Sequence, residues 1–145
     1  QLFAGRWTVG DVVRFHTAHK LTLMAHSPVA YRELGQLVAS AKSMDRAAFA
    51  ADYQARFMRA LTIIATPKRH ANVLQHMFGY FSRQIDDDAR AELLSLIEEH
   101  RQGRVPLIVP MTLMRHYVRR LKVEYLLGQT YLEPHPRELS LRNHV

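Results

Sequence analysis

Three imidazoles fall within twelve residues in the stretch FHTAHKLTLMAH (residues 15–26): His16, His19 and His26, with Lys20 beside the second. Imidazole ligates metals, moves protons near neutral pH and hydrogen-bonds to phosphates and bases, so spacing has to choose among these chemistries. On a helix turning about 100° per residue, Val12, His16, His19, Leu23 and His26 share one stripe, flanked by Phe15. His16 and His19 lie one turn apart and are close enough to share an ion. His26 is about 10.5 Å further along the axis, too far to join them. Neither an HExxH nor a carboxylate–histidine spacing offers a third ligand. The expectation is therefore no metal, with semi-buried imidazoles bonded to neighbouring groups or to a polar ligand.

A second cluster follows Pro67. Val73, Leu74, Met77, Phe78 and Phe81 form an inward face, while Arg69, Asn72, His76, Tyr80 and Arg83 recur at spacings of 3, 4, 4 and 3 on the other side. A solvated helix face usually carries Lys and Glu. Guanidinium, amide, imidazole and phenol together suit phosphate and base contacts better. Gly79 in that stripe weakens the helix but lets another backbone approach. His70 and His116 join the candidate ligands, and both His70 and His76 also suit acid–base work. After Pro110, Leu113, Met114, Tyr117 and Leu121 point inward, and Arg115, His116, Arg119, Arg120 and Lys122 point outward with no acid before Glu124. This basic face lacks the bulky exposed apolar residues that membrane insertion needs, so phosphates are its expected partner.

The elements that must position these groups read as helix after helix. Thr8 is the expected N-cap of a helix running to about Ala25, with Asp11 at its third position and Trp7 and Val12 placed for a hydrophobic staple. Ser27-Pro28 and Thr66-Pro67 each pair a capping hydroxyl with a first-turn proline. Ser43 is expected to cap a helix carrying Phe49, Tyr53, Phe57 and Leu61. Asp86, Asp87 and Asp88 suit the start of a helix that stops at Gly103. Pro106 and Pro110 should bracket a short extended stretch, with a helix from Pro110 to about Lys122. Alternating strand patterns and hairpin signals are lacking. The predicted fold is all-α, a single compact bundle-like domain of about six helices over residues 8–145, with 1–7 as a linker remnant of a preceding domain. The tail, with Pro134 and Pro136 around His135 and with Leu139 and Leu141, is expected to pack back and to bring Arg137, Arg142 and Asn143 to the basic surface.

Composition sets the outer limits. The chain has 145 residues, 48% of them hydrophobic, enough for a sizeable core. It holds no cysteine, which excludes disulfides, thiol nucleophiles and cysteine-held zinc or iron–sulfur clusters, and fits a cytoplasmic location. No apolar run is long enough to span a membrane. The formal charge is +7, but residues 86–99 hold six of the thirteen acids and only Arg90 on the basic side. Elsewhere nineteen basic residues face seven acidic ones, a surplus that favours a polyanionic partner. With Gln1 first and no signal peptide, the sequence reads as the end of something longer or as a trimmed chain.

Four ordered stretches, FHTAHKLTLMAHSPVAYRELG, HANVLQHMFGYF, RVPLIVPMTLMRHY and YLEPHPRELSLRNHV, together resemble the YbgA-like family over about Trp7 to Val145. These are uncharacterised helical domains found alone or fused behind a thiouracil-desulfidase-type domain. The resemblance implies a non-catalytic accessory domain that binds structured RNA, transfer RNA above all, and presents a thiolated uridine to a desulfidase-type domain in cis or in trans. An iron–sulfur cluster would belong to that other domain, and no cofactor is expected here. Arg115, Arg119, Arg120 and Lys122 would hold phosphates. Arg69, Asn72, His76 and Tyr80, with His19 and Lys20 if the helices meet, would line the selective part. Two other readings stay open: a protein-interaction or dimerisation module built on the acidic 86–99 helix, and a histidine-based enzyme using His16, His19, His70 or His76.

Overall fold

The computed structural model describes residues 2–133, which are all-α: they form eight α-helices and two short 3-10 turns, with no strand. The chain divides into two compact units that part between Ile64 and Ala65.

In the first unit, Thr8 caps α1 (Val9–Ala18) through a reciprocal box in which the Asp11 amide donates to the Thr8 hydroxyl and the Thr8 amide to the Asp11 carboxylate. The helix expected to continue to Ala25 is interrupted at His19, and α2 (Lys20–His26) follows. The cause is local. The His19 Nδ1–H donates to the Phe15 carbonyl at 2.8 Å, an acceptor already used by the His19 backbone amide, and such back-bonding bends a helix. Ser27 and Pro28 open α3 (Pro28–Ala39) as expected. Ser43 is not the next cap. Its hydroxyl donates to Ser40 in the turn Ala41–Ser43, and the Asp45 carboxylate accepts from the Ala48 amide to start α4 (Arg46–Leu61). Phe49, Tyr53 and Phe57 stack along α4 with centroids 6.0 and 6.1 Å apart, over a core that includes Val12, Leu23, Leu34 and Leu37. The Trp7 ring lies against Phe3 and Phe49 beneath the Arg46 guanidinium.

The second unit begins with Thr66 capping α5 (Pro67–Gly79), which ends before Arg83, so the polar stripe loses its last member to the turn Ser82–Gln84. Asp86 caps α6 (Asp87–Arg101), which packs on α5. At its end the Arg104 amide donates to Glu99 and the Gly103 amide to His100, with Gly103 at φ +76°, where a side chain would be strained. The expected extended stretch between the prolines is instead helical. Leu107 already has helical angles, and α7 (Ile108–Arg120) includes Pro110 in its first turn, where the missing amide hydrogen removes no helical bond. The same exit motif recurs after α7, with Lys122 in the left-handed position at φ +54°. A single-turn helix, α8 (Glu124–Leu127), then leads to Tyr131 and Leu132, both buried. That one-turn helix and the break at His19 lie behind the count of eight rather than about six.

Candidate nucleic-acid interface

Each of the three clustered imidazoles has a hydrogen-bond partner within the first unit. His16 is 8% exposed, its Nδ1 lies 3.1 Å from the Tyr53 hydroxyl, and its ring stacks 5.0 Å from Tyr31 at 2°. Burial, reinforced by His19 nearby, pushes the His16 pKa below its ordinary value, and burial pushes the Tyr53 phenol up. Near neutral pH the phenol is therefore protonated and the imidazole neutral, and the two share one hydrogen bond. The His16 Nε2 is buried without a hydrogen-bond partner among the described residues, beside Gly35, where a Cβ would sit 3.6 Å away. His19 stacks on Phe15 at 4.0 Å, and the His26 Nδ1–H donates to the Ile63 carbonyl at 2.7 Å. No group of three His, Asp or Glu side chains able to hold a metal ion forms among the described residues.

A pH dependence follows. Because the folded pKa of His16 is lowered, its contribution is fully present above the unfolded value of 6.5. It is lost as pH falls below that value, until the folded form also takes up the proton. Thermal melts from pH 7.5 to 5 should therefore lose stability on the acid side, this group contributing at most about 1.4 kcal/mol per pH unit. His16→Gln, which keeps a hydrogen-bonding side chain but cannot titrate, should flatten that dependence; an equally steep profile would show that His16 takes up its proton without strain.

His16 and His70 leave the set of surface ligands. His70 is 1% exposed and its Nδ1 lies 2.5 Å from the Tyr131 hydroxyl, with His100 6.1 Å away between ring centroids. A buried side chain cannot meet a polyanion without opening the core. His19 and Lys20 are half-buried in the first unit, and the other described candidates belong to the second.

Asn72, His76 and Tyr80 are exposed in the second unit, Arg69 is half-buried, and Arg83 is exposed past the helix end. Tyr80 stacks on Tyr125 of α8, with centroids 5.2 Å apart and planes 20° apart, while His76 meets Tyr80 edge-on at 5.7 Å. Tyr125 escaped the sequence reading, because its importance comes only from tertiary proximity.

On α7, Thr112, Arg115, His116, Arg119 and Arg120 line an open depression of about 510 Å³. Two of its cations already have work. The Arg115 Nε–H donates to the Leu132 carbonyl at 3.0 Å, and Arg119 pairs with Glu133, so both hold down the segment after α8. Arg120 and Lys122 are exposed and form no ion pair among the described residues. Arg137, Arg142 and Asn143 lie outside the described residues. Three of the six acids in the acidic segment are paired locally, Asp87, Glu98 and Glu99 with Arg90, Arg101 and Arg104. Hydrogen bonds from Arg101 and Gln102 hold the Glu98 pKa down to about 2. No helix among the described residues is long and apolar enough to cross a membrane.

The fold and surface define a basic all-α protein that exposes an aromatic stack and a partly unpaired cationic helix. The chain belongs to the family described as "Protein of unknown function (DUF1722)", whose model matches residues 20–136. It is 36% identical over 139 residues to "Uncharacterized protein YbgA" of Escherichia coli (strain K12), an alignment covering 94% of this chain and 81% of that protein. No solved structure matches it.

Proposed function

We propose that this chain is an RNA-binding accessory domain, with the second unit supplying the contact surface. The observation that carries the reading is the Tyr80–Tyr125 stack, with Tyr80 exposed, in a unit whose Arg120 and Lys122 pair with no carboxylate among the described residues. Lys122 precedes Tyr125 by three residues, so phosphate contact and ring contact fall within about 11 Å of chain. Cations supply affinity for any phosphate backbone, and exposed rings with amide and imidazole groups supply preference among RNAs.

The family resemblance favours structured RNA, transfer RNA first, working in the cytoplasm. In this reading a thiolated uridine is handed to a desulfidase-type domain, in cis or in trans. Sulfur removal would then belong to that partner and its iron–sulfur cluster. This chain needs no cofactor and performs no catalysis.

Anisotropy of labelled transfer RNA titrated with the protein at 50 to 300 mM salt tests the proposal. Each neutralised phosphate contributes a slope of about −0.7 to −0.9 in log K against log salt, so Arg120, Lys122 and a released Arg119 predict about −2 to −3. Absence of binding at the lowest salt would leave a protein-interaction module as the better reading.

A further inference from the structure

We infer that the Tyr80–Tyr125 stack seats one unpaired nucleobase, with His76 at its edge and Asn72 placed for the neighbouring nucleotide, so that the RNA recognised is unpaired at the contact rather than continuous duplex. This deepens the RNA-binding reading and rests on it. Tyr80 keeps 41% of its surface exposed although it is stacked against Tyr125 and met edge-on by His76. Its ring is thus held in place before any ligand arrives, and little ordering entropy remains to oppose stacking. Beside it, nothing lies within 4 Å of where a Cβ on Gly79 would stand, so the surface next to the ring is open.

Asn72 and His76 precede Tyr80 by eight and four residues on the exposed side of α5, with successive side chains about 6 Å apart along the axis. A base resting against the Tyr80 ring therefore meets the imidazole at its edge, while the Asn72 amide, about 12 Å from Tyr80 along the axis, meets the neighbouring nucleotide. Such an amide offers both a donor and an acceptor, as base edges require. A-form duplex hides its base faces within the stack and presents chiefly phosphates and 2′-hydroxyls, which a phenol ring cannot exploit. Loops, bulges and flipped nucleotides expose a face that it can. Lys122 lies close enough along the chain to neutralise the adjoining phosphate.

The test uses the full chain and two RNAs of equal length, a hairpin with 2-aminopurine in its loop and a blunt duplex with the same base paired. With wild-type protein, the loop probe should be quenched on binding and the duplex probe should not. Tyr80→Leu, which keeps apolar bulk against Tyr125 but removes the ring, should weaken hairpin binding about tenfold or more, abolish the quench and leave both the salt slope and duplex affinity unchanged. Tyr80→Phe should restore both signals. Asn72→Ala, at an exposed position, should reduce the preference among loop bases without changing the melting temperature. Equal losses for hairpin and duplex in Tyr80→Leu, or unaltered hairpin binding and quench, would overturn the inference while leaving RNA binding intact. If wild type binds neither RNA, the RNA-binding reading itself falls, and this inference with it.

Discussion

Replacing Arg119, Arg120 and Lys122 together by Gln is expected to weaken transfer RNA binding about 100-fold at 0.1 M salt and to flatten the salt slope by about two to three. Both numbers come from counterion release, in which each lost phosphate contact removes about 0.7 to 0.9 of a decade in affinity per decade of salt. Weakening should be similar for all RNAs, because phosphates carry no sequence. Arg115 is left in place because its guanidinium donates to the Leu132 carbonyl, and its loss would loosen the segment after α8. Arg119 is included although it pairs with Glu133, since both partners are more than half exposed and an exposed pair is worth at most about 1 kcal/mol. Phosphate can displace Glu133 from it. Glu133→Gln should accordingly tighten binding, because no carboxylate then has to be displaced, without adding a contact to the slope, and the triple variant should not respond to it. Isothermal titration at several salt concentrations reads both effects. An unchanged slope in the triple variant would place the phosphate contacts elsewhere.

Tyr131→Ala should be among the most damaging single substitutions, lowering stability by about 3 to 5 kcal/mol. The ring is fully buried, its hydroxyl meets His70, and the next residue accepts the bond from Arg115. Truncation leaves a cavity and deprives His70 of that bond. For a unit of this size, each kcal/mol shifts the melting temperature by about 4 to 8 °C, so a fall of at least 12 °C is expected. Tyr131→Phe separates the two contributions, because it deletes only the hydroxyl and should cost about 1 to 3 kcal/mol. Circular dichroism melts of both variants check this. An unchanged melt for Tyr131→Ala would mean that the segment after α8 is not docked in solution.

Much of the fold was legible because its signals are local. Thr8, Ser27, Thr66 and Asp86 each accept a backbone amide from the first turn, as their positions beside prolines or acids announce. Ser43 misled because Asp45, two residues on, has the stronger acceptor. The break at His19 depends on one side-chain rotamer reaching its own helix, and Lys122 occupies a left-handed position where glycine would have signalled the turn. At the surface, the exposed run Asn72, His76, Tyr80 follows from helical periodicity alone. The engagement of Arg115 and Arg119 does not, because Leu132 and Glu133 lie 17 and 14 residues downstream. Nor does Tyr125, which sits on a helix too short to carry a periodic pattern.

Photocrosslinking locates bound RNA on the protein residue by residue. RNA substituted with thiouridine is irradiated on the intact protein, and the modified peptides are mapped by mass spectrometry. Adducts are expected at His76–Tyr80 and at Lys122–Tyr125, competed away by unlabelled RNA and suppressed by high salt. Adducts confined to α4 or to the acidic α6, with none on α5 or around Tyr125, would rule out the Tyr80–Tyr125 surface as the RNA contact.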